Sequence, residues 1–229
     1  MTRLSVEERR EQFVRAAITV MSQEGLDRAT TRLIAEVAGA PQAALHYAFR
    51  DKEELLVAVV GEVTGEVERV LRESVDPDAG LEVAIRSASY AFWEHVVGDD
   101  GLQLMQYELS IHCRRTPGLE WLAEWQYHRY VMVAHDVFQA AVRADPTVGD
   151  IDVAALSRFI VAATDGLILQ YEMHHDRALS AADVELVALA ATMLARDGLP
   201  AVGRTRGRRT RRPAAVPTPQ SAGVRAAGR

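Results

Sequence analysis

The sequence of 229 residues contains very little cysteine, and Cys113 is its only thiol. A single cysteine excludes an intrachain disulfide and a zinc site built from several thiolates. Long hydrophobic runs are also lacking, because stretches such as 55–60 are far shorter than the roughly 18 apolar residues of a membrane span. The first residues run into Glu7 and Glu8, where a secretory leader would need an apolar core. We therefore expect a soluble cytoplasmic protein with no membrane partner.

Positive charge is unevenly distributed along the chain. The formal net charge is −6, yet residues 203–229 hold eight arginines and no acidic residue. The remainder keeps 18 basic against 32 acidic residues, a net charge of −14, although residues 1–60 are close to neutral with eight basic and nine acidic groups. A phosphate backbone would repel the acidic body, whereas it would tolerate the N-terminal segment. Charge alone does not identify a nucleic-acid-binding protein.

Apolar residues recur at helical spacing almost throughout, and no stretch shows convincing strand alternation. Capping boxes are expected at Ser5 with Glu8 and at Asp51 with Glu54, and a box-like start at Ser180 and Asp183. The pattern predicts an all-α chain with helices near 5–24, 31–38, 41–48, 51–75, 78–97, 101–113, 118–143, 151–173 and 181–197. Residues 200–229 have almost no large apolar side chain, so a disordered tail is expected there.

Residues 31–49 have the pattern of a helix-turn-helix. Ala35 is the small residue that two crossing helices need, and Gly39 follows where the sharp turn favours left-handed geometry. An apolar seam under both helices is predicted from Ile34, Ala38, Leu45 and Phe49. An Ala–Gly pair with this spacing is common in Ala-rich helices, so the prediction depends on its combination with the seam and the flanking helices.

Three runs, 34–41, 45–49 and 51–56, resemble the DNA-binding motif of the tetracycline-repressor (TetR) family. The close match covers about residues 10–58, and farther on the family resemblance lies in length, helicity and the run 165–167. His46 and Ala48 stand where the family pattern has tyrosines, and Pro41 where it has serine. The resemblance implies an N-terminal three-helix DNA-binding domain (1–51), a larger helical effector-binding and dimerisation domain (52–199) and an Arg-rich tail (200–229).

The resemblance also implies a repressor that binds double-stranded operator DNA as a homodimer and is released by a small-molecule effector, with no catalysis, cofactor or metal. The helix 41–48 would lie in the major groove, where Gln42 can pair with adenine and Tyr47 can contact a thymine methyl. Thr31 at a helix start and Lys52, the only lysine, would hold phosphates. The predicted DNA-binding residues are Thr31, Arg32, Pro41, Gln42, Ala43, His46, Tyr47 and Lys52. Solvated charges at Arg32 and Lys52 and a core position for Tyr47 remain the alternatives.

The last two predicted helices are apolar on more than one face, and a second apolar stripe on a surface helix favours a partner. A twofold four-helix interface satisfies this requirement, and the family uses one. The predicted dimer residues are Leu156, Ile160, Ala163, Leu167, Val187, Ala191 and Leu194. The alternative is that both helices are central in a monomer.

Aromatic, sulfur-containing and imidazole side chains cluster on three middle helices, a composition that suits an apolar cavity with a few polar anchors. The predicted effector residues are Phe92, Met105, Leu109, His112, Trp125 and His128. Taken singly, each of them is better explained by a core position, and the resemblance to the family is the main argument for a cavity. The sequence does not identify the effector.

Other functions stay open at this point. Glu172 and His175 match half of a di-iron motif, but the second Glu-x-x-His that such a bundle enzyme needs is missing. A metal sensor using several of the seven histidines and a helical interaction module without DNA binding are further alternatives. The arginine-rich tail either adds non-specific attraction to DNA or is a solvated charged end.

Overall fold

A computed structural model describes residues 5–99, 101–146 and 148–197, and these residues are helical with no strand among them. Their α-helices are α1 (Val6–Glu24), α2 (Thr31–Val37), α3 (Gln42–Ala48), α4 (Lys52–Ser74), α5 (Leu81–Gly98), α6 (Leu102–Arg115), α7 (Glu120–Ala144), α8 (Val153–His174) and α9 (Arg177–Asp197). Short 3-10 helices at Leu26–Arg28 and Pro77–Ala79 precede α2 and α5. The all-α prediction is confirmed. The predicted tail, 200–229, lies outside the described residues.

Capping explains where these helices begin. Ser5 and Glu8 form the predicted box, since Glu8 N donates to Ser5 Oγ at 3.1 Å and Ser5 N donates to Glu8 Oε2 at 2.7 Å. The bond from the Ser5 backbone N–H to the carboxylate, with a smaller contribution from the Ser5 side chain, lowers the pKa of Glu8. The prediction for the last helix is wrong, because α9 begins at Arg177 and Leu179 N donates to the carboxylate of Asp176. Ser180 is buried inside that helix instead of preceding it.

Two of the helices have the length and composition of a membrane span. α8 has a mean hydropathy of 1.4 over its best window, and α9 has 1.6. The sequence analysis missed them because single charges such as Arg158 and Asp165 interrupt the apolar runs. Core helices of soluble proteins have the same property, so this is weak evidence for a membrane.

The first of two compact units contains residues up to Gly65 together with the segment 101–126. Its hydrophobic core is built around Phe13, Met21, Ile34 and Phe49, which are at most 1% exposed. α6 adds an apolar face to the same core through Leu102, Met105, Leu109 and Cys113. The helix-turn-helix segment and α6 therefore belong to one packed core.

α6 approaches the end of α1 closely in this unit. Gly101, with φ of 89°, precedes α6, and a Cβ built there would overlap the carbonyl oxygen of Ser22. Farther along α6, the Glu108 carboxylate accepts a hydrogen bond from the backbone N–H of Leu26 at 3.1 Å. This bond satisfies a donor at the start of the 3-10 helix that leads into α2.

The second unit contains residues 66–99 and 127–197, with a core formed by α5, α7, α8 and α9. Ile85, Phe138 and Leu156 are its large side chains with at most 1% exposure. At the end of α8 the ring of Tyr171 meets that of Trp93 edge-on, with centroids 5.4 Å apart. Burial alone raises the pKa of the Asp165 carboxyl on α8 to about 6.

Replacing Gly101 with alanine tests the close approach of α6 to α1. We expect Gly101→Ala to lower the free energy of unfolding by about 2 kcal/mol or more, because a Cβ meets both positive φ and the Ser22 carbonyl. The matched control is Gly65→Ala in α4, where a Cβ meets open space and helix propensity predicts a gain of about 0.5–1 kcal/mol. Urea unfolding measures both, and equal effects would contradict the tight contact.

Candidate functional site

The turn between α2 and α3 has the geometry that the helix-turn-helix pattern predicts. Gly39 adopts φ of 62°, the left-handed region that glycine enters at little cost. The backbone N–H of Ala40 donates to the carbonyl of Ala35 at 3.0 Å, and that of Gly39 donates to Glu36 at 3.0 Å. Ala35 is buried at the crossing of the two helices. These bonds satisfy carbonyls at the end of α2 and set the direction of α3.

The predicted seam is confirmed beneath both helices. Ile34, Ala38, Leu45 and Phe49 are all buried and belong to the core of the first unit. α3 is therefore held by one apolar edge, and its opposite edge faces outward.

Four of the side chains predicted to bind DNA, Gln42, Ala43, His46 and Tyr47, lie on α3, and the others lie on α2, before α3 or on α4. Tyr47 is 95% exposed, which excludes a core position for it in the chain. Exposed with it are Arg32, Pro41, Gln42, Ala43, His46 and Lys52, whereas Thr31 is half-buried. Pro41 precedes the first turn of α3 with φ of −61°, an angle at which its ring fits without strain. The fold thus presents seven of the eight predicted residues to solvent.

Gln42 and Thr31 are joined by a hydrogen bond that the sequence analysis did not predict. Gln42 Nε2 donates to Thr31 Oγ1 at 3.0 Å, from the start of α3 to the start of α2. The predicted base-reading amide and the predicted phosphate contact are therefore one bonded pair in the free protein. The bond orients the amide plane and leaves Gln42 Oε1 directed away from Thr31.

A half-buried arginine of α1 clamps the far end of α3. The Arg10 guanidinium donates to the carbonyl of Ala48 and to Glu54 Oε1, the latter at 3.0 Å, and it stacks 4.2 Å over the ring of Phe49. Gln12 on the same helix donates to the carbonyl of Ala38 at 2.6 Å. Sequence reasoning missed this clamp, because a charged residue on a predicted surface helix gives no sign of its partner.

The start of α4 differs in part from its predicted capping box. Glu54 N donates to Asp51 Oδ1 at 2.8 Å, as predicted. The Glu54 side chain does not return to Asp51; it accepts from Arg50 N at 3.0 Å and from Arg10. Lys52 lies exposed in this first turn, where the helix dipole and the ammonium group attract the same anion.

The six predicted effector residues fall in different places. Met105 and Leu109 are fully buried in the apolar core of the first unit, with Trp125 packed against it and His112 half-buried on the same α6. Phe92 and His128 belong to the second unit, where Phe92 lies 6.3 Å from the ring of His95 and His128 is exposed. Met105 and Leu109 serve the core, and the six do not share one unit.

Three of the seven residues predicted for the dimer are buried inside the second unit, and the other four are half-buried. Leu156 and Ala191 are 0% exposed and Ile160 is buried, because α5 and α7 cover this face. Ala163, Leu167, Val187 and Leu194 are half-buried. The exposed apolar stripe is the neighbouring one, formed by Leu169 and Met173 on α8 with Leu186, Leu189 and Met193 on α9. Periodicity identified two stripes but could not tell which one the chain covers.

Cys113 carries a free thiol, a group that could act as a nucleophile if it were accessible. Cys113 is buried in the core, and burial raises the pKa of its thiol to about 11, far from the value of a thiolate nucleophile. Among the residues that the structure describes, no group of three or more His, Cys, Asp or Glu side chains is placed to hold a metal ion.

Comparison with known families agrees with this geometry. The profile of bacterial regulatory proteins of the tetR family matches residues 13–59. The profile of the tetracyclin repressor-like C-terminal domain matches residues 83–196. The two matches cover the helix-turn-helix and most of the helices that follow.

A curated relative is the HTH-type nicotine-responsive transcriptional repressor HdnoR of Paenarthrobacter nicotinovorans. It is 31% identical over 170 residues, which are 74% of this chain and 86% of the relative. Solved structures share the fold at lower identity. The multidrug binding protein EbrR complexed with ethidium has a TM-score of 0.62 at 23% identity, covering 82% of this chain and 98% of its own. The regulator FadR of Bacillus subtilis in complex with stearoyl-CoA has a TM-score of 0.58 at 19% identity, covering 78% and 97%.

The arginine clamp generates a stability prediction. We expect Arg10→Met to lower the free energy of unfolding by about 1.5–3 kcal/mol, because it removes the charged hydrogen bonds to the Ala48 carbonyl and to Oε1 of the half-buried Glu54. The matched control is Arg15→Met on the same helix, where an exposed pair with Glu11 is worth less than about 1 kcal/mol. Urea unfolding compares the variants, and equal losses would show that Arg10 is an ordinary surface charge.

Proposed function

Because the chain belongs to the tetR family of bacterial regulatory proteins, we propose that it is a repressor that binds operator DNA as a homodimer and is released by a small-molecule effector. The single observation that carries the proposal is the exposed edge of α3, which is clamped from beneath and bears Gln42, His46 and Tyr47. Repression is supported by the name of the curated relative, a transcriptional repressor. We assign 1–51 to DNA binding, 52–199 to effector binding and dimerisation.

The chemistry of α3 suits the major groove. A side-chain amide such as that of Gln42 can bind adenine through its donor and acceptor together. The Nε2 group carries two hydrogens, so Gln42 can keep its bond to Thr31 while its second N–H and Oε1 bind the base. Tyr47 offers a ring to a thymine methyl, and Lys52 and Arg32 offer positive charge to the phosphates on either side. Specificity then depends on the base contacts of α3, and affinity depends on these contacts together with the phosphate contacts of Lys52 and Arg32.

A dimer is supported by the exposed apolar stripe of α8 and α9. Leu169, Met173, Leu186, Leu189 and Met193 are each more than half exposed in the chain by itself. Burying such side chains contributes about 25 cal/mol per Å² of apolar surface. A stripe that packs against its own copy is isologous, so the two α3 helices would be related by a twofold axis, as in operators with inverted half-sites.

The proposed effector is a small organic molecule. The name of the curated relative describes it as nicotine-responsive. The structures of EbrR and FadR were solved with ethidium and with stearoyl-CoA, respectively. These ligands share little chemistry, so the family resemblance supports a small-molecule effector without naming its class. By linkage, an effector that weakens operator binding must itself bind more weakly to the operator-bound protein.

Two single substitutions separate phosphate from base contacts. Lys52→Ala is expected to weaken binding to every DNA sequence alike and to reduce the salt slope by about one unit, because one ion pair with phosphate is lost. Gln42→Ala is expected to relax preference at one base pair, with a cost of about 1–3 kcal/mol on the preferred operator. Titrations with the protein's own promoter region and with scrambled DNA measure both.

The control for charge is Arg143→Ala, which removes an exposed positive charge from α7 in the second unit. We expect it to leave operator affinity and salt slope unchanged. If Lys52→Ala behaved like this control, the phosphate assignment would be wrong. If the wild-type protein bound its promoter no better than scrambled DNA, the repressor proposal itself would fail.

A charge placed in the stripe tests the dimer. We expect Leu189→Glu to sediment as a monomer at concentrations where the wild type is a dimer, and to lose at least tenfold in operator affinity, or about 1.4 kcal/mol. The control Val83→Glu changes an equally exposed apolar residue of α5 outside the stripe and should remain dimeric. A dimeric Leu189→Glu protein would rule out this face.

A further inference from the structure

Five polar side chains are buried inside the first unit, and two of them hold a polar atom that has no hydrogen-bond partner in the described part of the chain. They are Thr64, Gln103, Gln106, Ser110 and Gln126, none more than 9% exposed. In the second unit, Ser157 Oγ and Thr192 Oγ1 donate to carbonyls of their own helices at 2.7 and 2.9 Å. Such local bonds satisfy a buried hydroxyl without any other partner. In the first unit, by contrast, Thr64 Oγ1 has no partner among the described residues, and Ser110 Oγ donates to the side chain of another helix.

Four of the five form what we call the amide row, namely Gln103, Gln106 and Ser110 on one face of α6 with Gln126 of α7. Gln106 Nε2 donates to Gln103 Oε1 at 3.3 Å, and Ser110 Oγ donates to Gln126 Oε1 at 2.9 Å. Gln103 Nε2 has no acceptor within the described part of the chain, although Gln103 is 95% buried. Thr64 Oγ1 is likewise unbonded there. An unmet donor at Gln103 ends the row.

α6 does not need the amide row in order to pack against the core. Leu102, Met105, Leu109 and Cys113 already bury an apolar face of this helix in the core. A second buried face made of amides loses hydration, and a donor without an acceptor does not recover that loss on folding. A ligand that brings an acceptor to Gln103 Nε2 recovers it on binding. The unmet donor is therefore an observation that points to a ligand.

We propose that the amide row recognises the effector, and that the effector is an uncharged molecule bearing a hydrogen-bond acceptor such as a carbonyl or a heteroaromatic nitrogen. This inference rests on the proposed function, because it names the ligand class of the same regulator. Amide and hydroxyl groups do not ionise near neutral pH, so the row supplies no counter-charge, and burying an unpaired ion beside it would cost far more than the bonds return. The class excludes permanently charged ligands.

The same helix carries a link toward α2. Glu108, between Gln106 and Ser110 on α6, holds the backbone N–H of Leu26 at the start of the 3-10 helix that precedes α2. A ligand that shifts or turns α6 to bond with Gln103 also moves the Glu108 carboxylate. The effector would thus act on the helix-turn-helix from within one packed unit.

Thermal melting of the full-length protein with a defined panel tests the ligand class. The uncharged acceptors are 2-pyridone, nicotinamide and caffeine, and the charged compounds are ethidium and benzoate. We expect at least one uncharged compound to raise Tm at millimolar concentration, while the charged compounds do not. Gln103→Met should weaken its binding about three- to tenfold, the worth of one neutral hydrogen bond. The matched control is Gln23→Met, an exposed glutamine near the end of α1.

Circular dichroism establishes that each variant is folded, and Gln103→Asn, which keeps the amide but withdraws it, replaces Gln103→Met if the latter is not. A Tm response to charged compounds alone, no response to any uncharged compound, or equal binding by Gln103→Met and wild type would overturn the proposal. Operator titrations on the same samples report separately on the proposed function. Failure to bind operator would refute the repressor while leaving the ligand class to be decided by Tm.

Discussion

α3 has only seven residues, and this shortness is the constraint on which the rest of the structure depends. A helix of two turns is not stable by itself in water, because its nucleation cost exceeds the gain from so few hydrogen bonds. In the proposed function its outer edge must remain exposed to contact DNA, so only the contacts beneath it can hold its position. Leu45 and Phe49 supply apolar area, and the Arg10 clamp supplies direction at the C-terminal end.

α1 is the helix that supports α3 from beneath, and it also packs against α2 and α6. Packed interiors resist small displacements, since a shift of one helix strains or empties its contacts with the next. The close approach of Gly101 to Ser22 and the bond from Leu26 to Glu108 join α6 to the same helix and to the turn after it. A shift of α6 would therefore alter the contacts that support α3, because both helices pack against α1 in one core.

Periodicity was sufficient to predict the helices and the seam, because burial of one face leaves a regular pattern of apolar residues. It failed wherever a choice depended on distant partners. Leu156 and Leu169 on α8, like Ala191 and Leu189 on α9, belong to neighbouring apolar stripes with the same helical periodicity. Only packing by α5 and α7 decides which stripe is covered. The partners of Arg10 lie 38 and 44 residues away, and the amide row was missed because glutamines are ordinarily surface residues.

The homodimer that we propose would compensate for how few bases one α3 can contact. Gln42, His46 and Tyr47 offer about three base contacts, each worth about 1–3 kcal/mol of discrimination. Together they would contribute about 3–9 kcal/mol, whereas a specific operator exceeds non-specific DNA by about 4–10 kcal/mol, so a single half-site falls short of the upper end of that range. In that dimer the contacts of two α3 helices would add, so each half-site would need fewer of them. A small displacement of each α3 by an effector would then misplace both helices against the fixed spacing of the grooves.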